Sequence, residues 1–396
     1  MTTYTILIIL SGLVIFSYLF DLVASKTKVP SVLLLLLLGI GLRFLVDYLK
    51  IQTFNFLSIL PTLGTVGLIL IVFEGSLELK YDREKNKIIK SAFFSALTIL
   101  LATTAIITLI IYQITHKDLY TCISNAIPFS VISSAIAIPS AAALGKQDRE
   151  FVIYESSFSD ILGIIIFNFA ITNHSITTSA FIGLGLSTFL IILLSAIACV
   201  VLLYVMGKLV HHIKFFLIIS ILILVYAIGQ SYHLSSLVLI LSTGLFLNNA
   251  DTIRNAWFRG VFLYKNLSAD LSQLYQLSAE SAFILRTFFF VIFGFTMNIS
   301  ELNDKPVLAN GFFILVTIFA VRFFFLKVFK NGALSPIGYI APRGLISILL
   351  YFNLPKSLKI AEVGPSFLFL VVLGTSLVMT LGITLSKNKP EETAMD

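Results

Sequence analysis

Apolar runs of roughly 17 residues or more recur from one end of the chain to the other, separated by short polar loops. The runs are continuous rather than alternating. They therefore predict helices and not barrel strands, the two structures that satisfy every backbone group inside lipid. About thirteen spans follow, over 4–24, 31–49, 61–79, 91–114, 120–145, 151–173, 178–207, 214–231, 234–249, 279–299, 306–329, 335–353 and 364–386. The eighth and ninth are divided only by Gln230-Ser-Tyr-His233. After the ninth, Trp257 to Leu277 is too polar to cross, yet Phe258, Val261, Phe262, Leu267, Leu271 and Leu274 recur at near-helical spacing. That pattern predicts an interfacial segment over 257–277. The predicted class is an all-α polytopic membrane protein.

Composition agrees: 58% of the 396 residues are hydrophobic and 12% charged, with mean hydropathy +1.00. The charged share is about half that of a soluble domain. Lysine and arginine placement orients the chain. With the N-terminus outside, inner loops and the 387–396 tail hold 18 of the 27 and outer loops six; Arg286, Arg322 and Arg343 fall inside spans. This bias holds loop after loop and predicts a cytoplasmic C-terminus. The net charge of +7 then reads as loop cations on an anionic leaflet. No basic cluster with interleaved aromatics points to nucleic acid. Cys122 and Cys199 lie in or beside spans and give no disulfide framework. Thr5 to Phe20 lacks a basic leader and a small-residue cleavage site, so it reads as a retained span.

Two spans carry breakers at comparable places. The fifth has Pro128 and then Ser133-Ser-Ala-Ile-Ala-Ile-Pro139-Ser140; the twelfth has Ser335-Pro336-Ile-Gly338 and Ala341-Pro342-Arg343-Gly344. Each is followed by one further helix of its half. Discontinuous helices at matching positions point to an inverted-repeat transporter, in which freed carbonyls and half-helix ends hold an ion at the midplane. The plain alternative is that proline and glycine merely kink membrane helices.

Asp160 is the candidate that carries chemistry. It sits about ten residues into the sixth span, which at roughly 1.5 Å per residue is near the middle of a ~30 Å hydrocarbon slab. A carboxylate there costs several kcal/mol unless it is protonated, paired or facing water, so a group whose charge changes is expected. Ser156 is one helical turn from Asp160, and Glu155 one turn from Ser159, so each hydroxyl can lie beside a carboxylate. Carboxylate, hydroxyl and backbone oxygens suit a small alkali cation; nitrogen and sulfur ligands are absent from the segment. Arg343 ranks first as counter-charge, Arg322 second and Arg286 third. Arg343 or Arg322 could pair with Glu155 or hold the carbonyls of the broken helices, and Arg286 could snorkel to the interface. Glu74 is a weaker candidate. The five histidines make no metal site; His211 and His212 read as loop residues.

These residues resemble the monovalent cation:proton antiporter superfamily, in particular its NhaP-like sodium/proton exchangers. The resemblance runs over nearly the whole chain. It is carried by Phe73-Glu-Gly-Ser-Leu-Glu78, Glu155-Ser-Ser-Phe-Ser-Asp160, Arg286-Thr-Phe-Phe-Phe-Val-Ile-Phe-Gly294 and Ala341-Pro-Arg-Gly344. It implies thirteen helices, with two discontinuous ones crossing in a six-helix core, a dimerisation bundle and a homodimer. It also implies exchange by elevator-like sliding, with Asp160 as the carrier of ion and proton and with Glu155 and Arg343 helping to build the site. The implied organisation is a mainly scaffold bundle over 1–90 and a first core half over 91–175, with the broken helix 120–145 and carrier helix 151–173. Linker and scaffold helices follow over 176–300, then a second core half over 301–386 with the broken helix 335–353. Two positions depart from the family's pattern. Ser159-Asp160 stands where an Asn-Asp or Asp-Asp pair is usual. Ser134-Ala-Ile-Ala-Ile-Pro139 stands where a Thr-Asp pair is usual, with the Ser133 and Ser134 hydroxyls as substitutes.

The sequence thus predicts a secondary transporter exchanging a monovalent cation for H⁺. Na⁺ is favoured and Li⁺ or K⁺ are the alternatives; the exchange is electroneutral, in a bacterial inner membrane, with no cofactor. A cation-coupled symporter of a small organic anion on a related fold is the rival. An enzyme is not expected: neither His-Glu-x-x-His nor Gly-x-Gly-Asp occurs.

Overall fold

The computed structural model describes residues 3–27, 29–49, 60–79, 84–172, 178–208, 214–231, 234, 236–253, 255–297, 305–329 and 334–386. The tail over 387–396, His211 and His212 lie outside them. The described residues are helical, with no strand among them. In chain order the helices are α1 (Thr3–Thr27), α2 (Ser31–Tyr48), α3 (Leu60–Glu78), α4 (Asn86–Thr115), α5 (Leu119–Ser130), α6 (Ser134–Ser140), α7 (Lys146–Thr172) and α8 (Thr178–Lys208). They continue as α9 (Lys214–Ser231), α10 (Ser236–Asn248), α11 (Ala256–Phe262), α12 (Leu267–Thr296), α13 (Lys305–Phe329), α14 (Leu345–Phe352) and α15 (Pro365–Leu385).

Seven segments among the described residues are long and apolar enough to cross a membrane, and four shorter apolar helices accompany them. The seven include Leu119–Ser140, which contains the interruption between α5 and α6. The helix that carries Asp160 is in neither group. Asp148, Arg149 and Glu150 stand in its first two turns, with Glu155 and Asp160 further along. Residues 214–231 and 236–248 form separate helices, α9 and α10, as expected.

The segment expected over 257–277 is two pieces. Asn255 accepts hydrogen bonds from the Trp257 and Phe258 backbone N–H groups and starts α11, which ends at Phe262. The second piece is the first part of α12, which runs without a break into the next apolar stretch. No proline or glycine lies between Leu267 and Gly294, so nothing in the sequence ends that helix earlier.

The chain divides into two compact units. Unit 1 comprises Met1–Leu60, Asn86–Gly163 and Thr287–Asp396; unit 2 comprises Pro61–Lys85 and Ile164–Arg286. Unit 1 therefore takes in the first two helices together with both interrupted segments. Within it α4 packs along α5 and α13, α13 along α15, and α14 against α5. In unit 2, α10 packs between α8 and α9.

The interruptions in unit 1 follow from local chemistry. Asp118 caps α5: its carboxylate accepts from the Thr121 backbone N–H at 2.9 Å and from the Thr121 hydroxyl at 2.8 Å. Those bonds, the backbone one first, hold the Asp118 carboxyl below the usual carboxylate range. Pro128 removes one helical N–H, and α5 stops two residues later. Val131 and Ser133 are extended, and α6 begins at Ser134. In the second interruption Pro336, Gly338 and Pro342 leave only a 3-10 turn, Ile337–Tyr339, before the eight-residue α14.

Candidate functional site

The two interruptions cross. The Ser133 backbone N–H donates to the Pro342 carbonyl at 2.9 Å, joining one non-helical stretch to the other. Gly344 makes the approach possible. A Cβ at that position would stand 2.7 Å from the Ser133 hydroxyl oxygen and 2.8 Å from Ile136.

Asp160 lies beside this crossing and is 7% exposed. Its Oδ2 accepts the Ser134 backbone N–H at 3.1 Å, at the start of α6. Its Oδ1 is buried and has no hydrogen-bond partner. Ser159, one residue earlier, accepts the Ile132 backbone N–H on its hydroxyl oxygen at 2.9 Å. Helix α7 is thus stitched to the first interruption by two consecutive residues. Gly163, one turn on, has the Val131 side chain where a Cβ would be, so α7 meets the same stretch again. The Ser133 hydroxyl is fully buried and, like Asp160 Oδ1, unpartnered. The buried Ser156 hydroxyl donates back to the Val152 carbonyl at 2.8 Å. Its proton is committed to its own helix, and its oxygen lone pairs remain acceptors.

The two buried arginines of unit 1 divide the tasks that the sequence left open between them. Arg343, 1% exposed, holds carbonyls. Its Nε donates to Phe129 O at 2.7 Å, Nη2 to Ser130 O at 3.1 Å and Nη1 to Ala341 O at 2.8 Å. Phe129 and Ser130 end α5, where carbonyls lack helical partners and the helix dipole is negative. Thr375 on α15 accepts the Arg343 backbone N–H at 3.0 Å and fixes the loop from behind. Arg322 pairs with Glu155 at 2.9 Å, with both side chains 1% exposed. The same guanidinium donates to the Ile337 carbonyl from Nε at 3.2 Å and Nη2 at 3.1 Å. Ser95 on α4 donates to the other Glu155 oxygen at 2.7 Å. Four elements, α4, α7, α13 and the 3-10 turn, are tied at one buried point. Sequence reasoning missed Ser95 and Thr375. Spacing puts Ser95 on the same helical face as Ala92 and Ile99, which marks a buried position but assigns it no partner.

Glu74 and Arg286 belong to unit 2, where they approach to 3.8 Å with both side chains 17% exposed. Among the described residues no group of three or more His, Cys, Asp or Glu side chains is positioned to hold a resident metal.

A family model described as sodium/hydrogen exchanger, transmembrane, matches residues 11–387. No curated protein sequence matches the chain. Among solved structures, the fold is similar to that of the sodium proton antiporter MjNhaP1 from Methanocaldococcus jannaschii at pH 8. That likeness has a TM-score of 0.70 and 20% identity, covering 97% of this chain and 99% of that one. An electron-microscopy structure of MjNhaP1 aligns with a TM-score of 0.68 and 18% identity over 97% of this chain and 96% of that one.

Proposed function

Because the chain belongs to the sodium/hydrogen exchanger family, we propose that it is a secondary active transporter exchanging a monovalent cation for H⁺, with Asp160 carrying both in turn. One observation carries this reading. A buried carboxylate sits where two interrupted helices cross, with one oxygen held by a backbone N–H and the other without a partner.

The mechanism follows from charge. A bare carboxylate in a low-dielectric interior is costly, whereas its protonated form or its ion pair with Na⁺ is neutral. Asp160 releases its proton on one side, takes a cation there, crosses, and exchanges back on the other. The Ser134 N–H orients the carboxylate so that Oδ1 faces the cation. Ser133, Ser156 and Ser159 are the hydroxyl oxygens of the same region. A ligand set built from oxygen alone suits a hard alkali cation, Na⁺ first with Li⁺ or K⁺ as the alternatives. Glu155 is neutralised by Arg322, and Arg343 is balanced by helix-end carbonyls, so neither needs to change charge during transport. With one titrating carboxylate, one cation replaces one proton and the cycle is electroneutral. The crossing moves as a rigid piece in an elevator-type cycle, within a homodimer in a bacterial inner membrane with the C-terminus cytoplasmic.

The test is a sodium pulse on proteoliposomes with an internal pH dye. Parent protein alkalinises or acidifies the lumen according to the Na⁺ gradient, and Asp160→Asn abolishes the signal while keeping the monodisperse elution of the parent. Sodium-driven flux that persists in D160N removes Asp160 from the carrier role.

A further inference from the structure

Unit 2 contains a cavity of about 450 Å³ that the transport reading does not use. It is built from the end of α3, the end of α10 with the turn after it, the 263–266 turn and the first turns of α12. Its volume is that of a small-molecule site, roughly 300–1,000 Å³. The walls are held by hydrogen bonds between elements. The Asn248 amide donates to the Leu77 carbonyl at 2.7 Å, and the Tyr264 hydroxyl donates to Asp270 at 2.5 Å.

The chemistry of the lining is specific. It has one carboxylate, Asp251, and one ammonium, Lys265. Ser268, Ser272 and Tyr275 recur along α12 at i, i+4 and i+7 and so present two hydroxyls and a ring on one helix face. Tyr264 adds a second ring, and leucines complete the wall. The location is equally specific. α11 immediately precedes the wall and buries none of its residues; Trp257 is 69% and Val261 53% exposed. A short helix with uncovered aromatic and aliphatic side chains belongs in the membrane interface. The chain passes from Phe262, its last residue, straight into Leu263 of the cavity wall. The cavity is therefore contiguous with α11, and an interfacial α11 would set it at the depth of lipid headgroups. A strongly anionic headgroup would call for a basic cluster. This wall offers one charge of each sign.

We propose that the cavity binds the amino-phosphate headgroup of an ethanolamine-type phospholipid. Lys265 with the Ser268 and Ser272 hydroxyls receives the phosphate; Asp251 with the tyrosine rings receives the primary ammonium; the leucines take the first carbons of the lipid.

Native mass spectrometry of the full chain, released from micelles supplemented with phosphatidylethanolamine, phosphatidylcholine or phosphatidylglycerol, tests it. The expected result is retention of phosphatidylethanolamine above the other two. Lys265→Ala and Asp251→Asn should each weaken that retention by about tenfold, the loss expected from one charge-assisted hydrogen bond. Lys265→Arg and the distant control Lys305→Ala should keep it. Displacement by free O-phosphoethanolamine, with the same dependence on Asp251 and Lys265, supports the headgroup as the recognised part and extends the site to a soluble ligand. Equal retention of the three lipids, or retention that neither D251N nor K265A changes, overturns the proposal. Folding of each variant is read by its thermal unfolding in the same detergent, so a loss of binding with parent-like unfolding is decisive.

Discussion

Arg322 and Arg343 carry the same charge and are both buried in unit 1, but their partners give them different energetic roles. Arg322 faces a formal opposite charge, Glu155, whereas the guanidinium of Arg343 hydrogen-bonds to the carbonyls of Phe129, Ser130 and Ala341. Removing one member of the Glu155–Arg322 pair strands the other in the interior. Glu155→Gln or Arg322→Met should therefore each destabilise the protein by roughly 3–5 kcal/mol. The double variant should be much less destabilised than the sum, with a coupling of about 0.5–3 kcal/mol. Thermal unfolding of the four proteins in one detergent reads the cycle, and strict additivity would show that the pair is not a unit. Ser95→Ala removes one bond to the same carboxylate and should cost about 1–3 kcal/mol by the same measurement.

At the scale of elements, the crossing depends on backbone closeness more than on side-chain chemistry. Ser133 N–H reaches Pro342 O only while residue 344 lacks a Cβ. Gly344→Ala should overpack the crossing by about 1–3 kcal/mol and slow sodium-driven flux. The added Cβ meets both the Ser133 hydroxyl at 2.7 Å and the Ile136 side chain at 2.8 Å; the hydroxyl has no hydrogen bond to lose, so Ser133→Ala in the same chain should restore part of the stability. A double variant no more stable than G344A would place the strain elsewhere. The extended conformation at Gly344 is open to any residue, so the requirement for glycine here is one of space and not of dihedral angle.

For the whole molecule, the proposed charge count makes a macroscopic prediction. If Asp160 is the one group that titrates during exchange, the cycle moves no net charge. Sodium-driven pH change in proteoliposomes should then be the same at an imposed potential of either sign as at zero potential, each set with potassium and valinomycin. A rate that follows the sign of the potential would require a second charge to move, and would end the one-for-one reading while leaving D160N as the separate test of the carrier. The division into two units has a physical counterpart in the chain: unit 1 gathers both interrupted segments and the buried charges Glu155, Asp160, Arg322 and Arg343, whereas unit 2 holds Glu74 with Arg286.

Hydrophobic runs, breakers and the stranded carboxylate are local properties, and the sequence by itself determined them. It established an all-helical membrane protein, interruptions after Pro128 and around Ala341–Gly344, and Asp160 as the group needing explanation, because apolar length and proline chemistry act through near neighbours. It left three matters to the tertiary structure. Either arginine could have met Glu155; that choice required a carbonyl cluster at the end of α5 and a pair at α7, contacts across 213 and 167 positions of sequence. The 257–277 segment read as one element, and it divided because Leu263 is extended and α12 starts afresh with the Asp270 N–H on the Asn266 carbonyl, a break that periodicity does not register. Ser95 and Thr375 had no motif to mark them, since a serine or threonine in an apolar helix acquires meaning only when folding brings a carboxylate or a backbone N–H against it.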